Sequence, residues 1–221
     1  ESKNKIIKNT FLPKPKVIYN GISQKKIDKQ KINLLRQSLK LNNKNYIVST
    51  IGTIDNNRGQ EVIIESIAIL KRLIPNILLL IVGTGIIYEI NKLKKLIKEK
   101  DLQNNIKLLG YRDDVHEIIS ISDLIVNPVK KIESFGLVSI EAMALKKPVI
   151  ASRIGGIPEI IINKKTGYLI DPNNPNLICD RVLRLYNDKK LAANFGKKGH
   201  ERFIKLFDEK IMVYNYMNLI K

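Results

Sequence analysis

The sequence predicts an α/β fold: a doubly wound parallel sheet of about six strands with a helical C-terminal tail. Three observations carry that expectation. Short, unbroken apolar runs such as Ile77-Leu78-Leu79-Leu80-Ile81-Val82 alternate with longer segments whose apolar residues recur at helical spacing. Runs apolar at every position suit strands buried on both faces, as in a parallel sheet covered by helices on either side. Glycines and charged residues gather just beyond the ends of those runs. At 221 residues the chain has room for one domain with a substantial core.

Residues 1–22 show no long periodicity and carry Pro13, Pro15 and an Asn20-Gly21 turn signal. They read as a connector closing on a short extended segment. Residues 23–41 predict a Lys-rich helix capped by Ser23, with Ile27, Ile32, Leu35 and Leu39 inward. Tyr46–Gly52 is a strand, and Arg58–Ile74 a helix with Val62, Ile63, Ile67 and Leu70 inside. Ile77–Gly83 is a strand, followed by a helix from Ile86 to Lys100. Ile106–Gly110 is a short strand, Asp113–Ser120 a short helix and Asp123–Asn127 a strand. Gly136–Leu145 is a helix and Pro148–Ser152 a strand; a brief helix at Ile157–Ile162 leads to a last strand at Thr166–Ile170. Residues 175–220 are helical, broken near Phe207-Asp208. Six such strands make a Rossmann-like domain over 23–207, with 208–221 as a terminal helix.

The longest apolar run is far too short to span a bilayer and no cleavage signal is visible, so the chain reads as soluble. A single cysteine, Cys179, leaves no internal disulfide and no Cys-based metal site; a buried structural thiol is its expected role. The net charge is +18, and residues 1–40 hold half of it, with eleven Lys/Arg against two acids. A second basic run, Lys92 to Lys100, lies on the outer face of a helix. Such charge attracts an anionic partner (nucleotide, nucleic acid or acidic lipid) or reflects a chain rich in Lys, Ile and Asn throughout. No aromatic residues interleave with the basic runs, which argues against nucleic acid.

In a doubly wound sheet, ligands bind beyond the carboxyl ends of the strands. Gly52-Thr53 with Arg58-Gly59 follows the first strand, Gly83-Thr84-Gly85 the second and Gly110-Tyr111-Arg112 the third. Glu133 follows the fourth, and Gly155-Gly156 the fifth. Glu133 precedes a helix opened by Gly136, and Glu141 projects from that helix. Unpaired N–H groups and the helix dipole make such a helix start a seat for phosphate. Arg58 at a helix mouth can grip a diphosphate through its fork.

Other features carry less. Gly83-Thr84-Gly85 is two-thirds of a dinucleotide fingerprint, Tyr88 standing where the third Gly would be, and turn geometry accounts for it. Asp113 and Asp114 are expected to cap the next helix. His116 and His200 have no partner at metal spacing, and no Asp-x-Asp pair is present, so no metal is indicated. The two carboxylates of a glycoside hydrolase face each other across a cleft; Glu133 and Glu141 instead flank one helix start.

These residues resemble the C-terminal domain of family 4 (group 1) glycosyltransferases, one half of a GT-B enzyme. Glu133-Ser-Phe-Gly-Leu-Val-Ser-Ile-Glu141 resembles the family's Glu-x7-Glu element, and Gly52 to Arg58-Gly59 its Gly-Arg…Lys-Gly loop. Gly110-Tyr111-Arg112-Asp113-Asp114, Pro148 to Ser152, Gly155-Gly156-x-Pro158-Glu159 and Thr166-Gly167-Tyr168-Leu169 follow in the family's order. Lys16-Val-Ile-Tyr-Asn20-Gly21 resembles its interdomain connector. The resemblance implies a nucleotide-sugar donor, a UDP- or GDP-sugar, and transfer of a hexose with retention to a glycan or lipid-linked acceptor, without a metal or other cofactor. It places Glu133 at the donor sugar as the catalytic residue and Glu141 on the ribose. Gly52, Thr53, Arg58 and the N–H groups of Phe135, Gly136, Leu137 and Val138 would hold the diphosphate, and Tyr111 and Arg112 would border the base through backbone.

Two departures stand out. Thr53 replaces the family's usual Arg, which would loosen the donor or call on a cation from Lys130 or Lys131, and Arg58 takes the lysine's place with a different geometry. The family's N-terminal acceptor half is absent, so this chain alone is expected to be inactive. The single cysteine fits a reducing, cytoplasmic compartment, and the +18 charge suits attachment of the full enzyme to the inner face of an anionic membrane. A GT-B-fold sugar-nucleotide epimerase and a basic module binding anions or nucleic acid are the alternative readings.

Overall fold

The computed structural model describes residues 16–220; the prolines of the connector lie outside them. The strands are β1 Tyr46–Ile51, β2 Ile77–Val82, β3 Ile106–Gly110, β4 Leu124–Asn127, β5 Val149–Ser152 and β6 Tyr168–Ile170. All neighbouring pairs are parallel and the sheet order is β3-β2-β1-β4-β5-β6. The order reverses between β1 and β4, which opens a crevice beyond their carboxyl ends.

Alternate residues of the inner strands feed two apolar layers. Val48, Leu79 and Ile81 pack with Val62, Ile63 and Ile67 of α2 (Gln60–Leu70), and with Leu93 and Ile97 of α3 (Ile87–Glu99). Ile47, Leu78 and Leu80 pack on the other face, against Leu35 of α1 (Lys29–Ser38) and Ile118 of α4 (Val115–Ile121). A third cluster joins β4 and β5 to α5 (Leu137–Ala144), α6 (Ile157–Ile160) and Phe203 of α8 (Lys189–Leu206). Cys179, on α7 (Pro175–Asn187), is free and buried.

Several local expectations are corrected. The first helix starts at Lys29, not at Ser23, because Asp28 supplies the stronger cap: its Oδ1 accepts from Gln30 N at 2.8 Å and Lys31 N at 3.4 Å. Ile27 therefore precedes the helix. The C-terminal helical stretch breaks once more than expected, at Asp188. That residue ends α7 with φ −115°, ψ 83°, and its carboxylate accepts from Leu191 N at 2.8 Å to start α8. The expected break at Phe207-Asp208 is present and leads into α9 (Glu209–Ile220).

No turn forms at Asn20-Gly21. The segment is extended, and Ile22 forms a bridge with Asp208 through Ile22 N to Phe207 O (2.9 Å) and Glu209 N to Ile22 O (3.1 Å). Gly21 is required there by close approach, since a Cβ would lie 2.8 Å from Asp208 O. Gly83 and Gly85 likewise let two backbones meet: a Cβ at either would lie 2.0 Å from the carbonyl oxygens of Gly52 and Ile54. The partial fingerprint is therefore a place where two backbones run together, with Gly85 bridged to Ile54, and not the expected turn.

Candidate donor site

The loop after β1 is built by its polar side chains. Asp55 Oδ1 accepts from Asn57 N (2.7 Å) and Arg58 N (3.0 Å), which folds residues 55–58 into a tight turn. Gly59, with φ +72°, then opens α2. Asn57 ties this turn to the loop after β4. Its Oδ1 accepts from Lys131 N (3.0 Å) and Ile132 N (2.8 Å), its Nδ2 donates to Ile132 O (2.7 Å), and its carbonyl accepts from Lys130 N (2.7 Å). These bonds tie the two loops together and bring Arg58 to Glu133.

Arg58 Nη1 and Glu133 Oε2 form an ion pair at 2.6 Å; the Glu133 side chain is 10 % exposed. Glu133 Oε1 also accepts from Phe135 N at 3.4 Å. Behind it the loop after β5 presses close: a Cβ on Gly155 (φ +55°) would lie 1.6 Å from Glu133 O. Gly136 (φ +102°, ψ 51°) sits at the start of α5 with no side-chain cap. Among the described residues, the N–H groups of Gly136, Leu137 and Val138 have no hydrogen-bond partner. Arg58 Nε, buried, has none either. A cleft of about 330 Å³ collects these donors with Gly52, Thr53 and Glu133.

Its electrostatics follow from the parts. A helix start carries partial positive charge, and Arg58 adds a cation whose Nη1 is already held by Glu133. The deficit left by Thr53 is not filled by Lys130, whose ammonium is paired with Glu61; Lys131 is exposed.

The cleft brings together Gly52, Thr53, Arg58, Glu133, Phe135, Gly136, Leu137 and Val138. Glu141, Tyr111 and Arg112 do not line it. Glu141 is half-buried further along α5, and burial pushes its carboxyl pKa up, opposed by the charge of Lys25. Lys25 also lies near His116, whose pKa is lowered by burial first and by Lys25 second. Tyr111 is 79 % exposed. The Arg112 guanidinium is committed to Asp114, with Nε to Oδ1 at 2.8 Å and Nη2 to Oδ2 at 2.6 Å, and that fork holds the Asp114 carboxyl below the usual range. Asp114 consequently occupies the N-cap position of α4 without a side-chain cap bond, contrary to its expected role. His200 stacks near Phe203, with centroids 6.1 Å apart.

Two contributors escaped sequence reasoning. Asn57 carried a readable signal, since Asp-x-Asn followed by Gly59 is turn chemistry. Asn20 lines the cleft from the connector, where the sequence marks it only as half of a turn signal. Among the described residues no cluster of His, Cys, Asp or Glu could hold a metal, and no helix is long and apolar enough to cross a membrane.

A parallel sheet of this order, with a glycine-lined cleft beyond its reversal point, is a Rossmann-like nucleotide-binding arrangement. Residues 31–202 match the family described as "Glycosyl transferases group 1", and the chain belongs to that family. It is 36 % identical over 138 residues to N-acetyl-alpha-D-glucosaminyl L-malate synthase of Bacillus anthracis, covering 62 % of this chain and 35 % of the relative. It is 28 % identical over 221 residues to the capsular polysaccharide biosynthesis glycosyltransferase CapM of Staphylococcus aureus, 95 % of this chain and 56 % of that one. The crystal structure of Anabaena Alr3699/HepE in complex with UDP and glucose matches with a TM-score of 0.84 at 26 % identity, covering 93 % of this chain and 56 % of that chain. The chain thus spans 35 % to 56 % of the length of these three proteins.

Proposed function

We propose that the chain is the donor-binding half of a retaining glycosyltransferase. It takes a nucleotide-sugar, a UDP- or GDP-sugar, whose hexose passes to a glycan or lipid-linked acceptor held by an N-terminal half. The observation that carries this is the set of donors in one cleft: buried, unpartnered Arg58 Nε beside the N–H groups of Gly136, Leu137 and Val138. Together they can bind a diphosphate with fixed dipoles and one cation. The Anabaena relative, solved with UDP and glucose, supports the ligand class.

In this reading the diphosphate lies between Arg58 and the start of α5, with Thr53 and Gly52 along one side. Glu133 meets the transferred sugar while holding Arg58 in place through their ion pair. Departure of a nucleoside diphosphate leaves charge on phosphate, so donors preorganised there lower the barrier and no metal is required. Glu141 accepts hydrogen bonds from the ribose hydroxyls, and the base lies beside the backbone of Tyr111 and Arg112. The N-terminal half covers the apolar side chains that α9 exposes, Val213, Tyr214, Tyr216 and Met217 among them. The chain alone binds donor without transferring sugar.

Calorimetric titration of the chain with UDP-, GDP- and ADP-sugars tests this. One of them is expected to bind, and no binding to any by folded protein overturns the reading. The pH dependence supplies a second check. Glu141 has a raised pKa from burial, so lowering the pH protonates it earlier than an ordinary carboxylate. Donor affinity should fall across that step, and Glu141→Gln should bind about tenfold more weakly at neutral pH with the step gone. A step that persists unchanged in Glu141→Gln would remove Glu141 from the ribose.

A further inference from the structure

We infer that Asn20, in the connector, completes the diphosphate cradle: its side-chain amide donates to a phosphate oxygen of the ligand. The inference rests on the donor reading above and adds a contact from outside the sheet's loops.

The residues on either side of Asn20 are held by contacts from across the chain. Tyr19 stacks on Phe135, with centroids 6.1 Å apart and planes at 26°, and meets Phe207 edge-on at 5.5 Å. Its hydroxyl donates to Glu159 Oε2 at 3.0 Å. On the other side, Gly21 N donates to Met212 Sδ at 3.2 Å, and Ile22 is bridged to Asp208. Glu159 belongs to α6, which follows the loop pressed against Glu133. The backbone of Asn20 is therefore clamped to the elements that build the cleft.

Asn20 itself is exposed, lines the cleft, and has no hydrogen-bond partner among the described residues. Water satisfies that amide in the free chain, and because Asn20 lines the cleft the same N–H is free to turn to a bound ligand. Phosphate is the better partner than sugar because the stacking of Tyr19 places the connector against Phe135, the residue before the Gly136 start of α5. The unpartnered N–H groups lie there, and Thr53 leaves that diphosphate one cation short. A carboxamide N–H adds a neutral donor without the desolvation cost of another charge.

The test uses the full chain and UDP, UMP and UDP-glucose as probes, with GDP or ADP counterparts if those bind tighter. Asn20→Ala should weaken the nucleoside diphosphate about fivefold and leave the monophosphate within twofold. Asn20→Asp, which puts a negative charge beside phosphate, should weaken it more, and added salt should narrow the gap between the two variants. Thermal unfolding of both should match the parent, since the side chain is exposed and makes no hydrogen bond among the described residues. Unchanged UDP affinity in both variants overturns the inference while leaving the donor reading intact. A loss confined to UDP-glucose also overturns it, moving Asn20 to the sugar. Failure of the parent chain to bind any nucleotide overturns both.

Discussion

Arg58→Met is expected to lose about 100-fold in affinity for the nucleoside diphosphate, the largest binding effect of any single substitution in this cleft. Two losses add. The cation and its unpartnered Nε go, and Glu133, 10 % exposed and bonded to Arg58 at 2.6 Å, is left without its counter-charge. A carboxylate stranded beside bound phosphate repels it, so the variant is worse than simple removal of one donor. Arg58→Lys separates the two terms. It keeps the charge the ligand needs but cannot fork, and it should recover most of the affinity. Equal UDP binding by parent and Arg58→Met, measured by calorimetry, would show that the diphosphate does not lie at Arg58.

Gly155→Ala is the substitution expected to harm fold and site together. The residue has φ +55°, and an added Cβ would fall 1.6 Å from the carbonyl oxygen of Glu133. The loop after β5 must then retreat, taking with it the hydrogen bond from Gly156 N to Glu133 O (3.3 Å). Stability should drop by about 1–3 kcal/mol, and UDP affinity by tenfold or more because Glu133 no longer holds Arg58 in register. Gly110→Ala is the internal control. Its φ is +68°, but nothing lies within 4 Å of the added methyl. It should cost about 1 kcal/mol of strain with no clash to relieve. Thermal unfolding and titration of the two variants side by side distinguish clash from strain.

The sheet was legible in the sequence because strands buried on both faces carry unbroken apolar runs, and Ile77–Val82 is the plainest of them. The loops beyond the strands were legible as well, since glycine and charge stand out at the end of such runs. Helix ends were less so. Gly59 in the left-handed region delays α2 past Arg58, and Asp28 rather than Ser23 caps α1, choices that depend on which short-range acceptor wins. What could not be read was pairing across the chain. Arg58 finds Glu133 at a separation of 75 residues, Asn57 holds Ile132, and Tyr19 reaches Glu159 across 140. Arg112 and Asp114 are close in sequence, yet capping and ion pairing compete for the same carboxylate, and only the folded loop shows that the pairing prevails.

On the proposed reading, the loops after β1 and β4 and the connector line a donor cleft, the loop after β5 backs Glu133, and the phosphate donors are set before any ligand arrives. A crystal of the chain soaked with UDP-glucose, or with whichever nucleotide-sugar binds in titration, examines that claim at atomic level. The account predicts diphosphate oxygens within hydrogen-bonding distance of the Arg58 guanidinium and of the N–H groups of Leu137 and Val138, with the hexose toward Glu133. A nucleotide whose diphosphate lies instead in the pocket lined by Lys25, Lys31, His116 and the acids Asp113, Asp114 and Glu117, making no contact with Arg58, would contradict it.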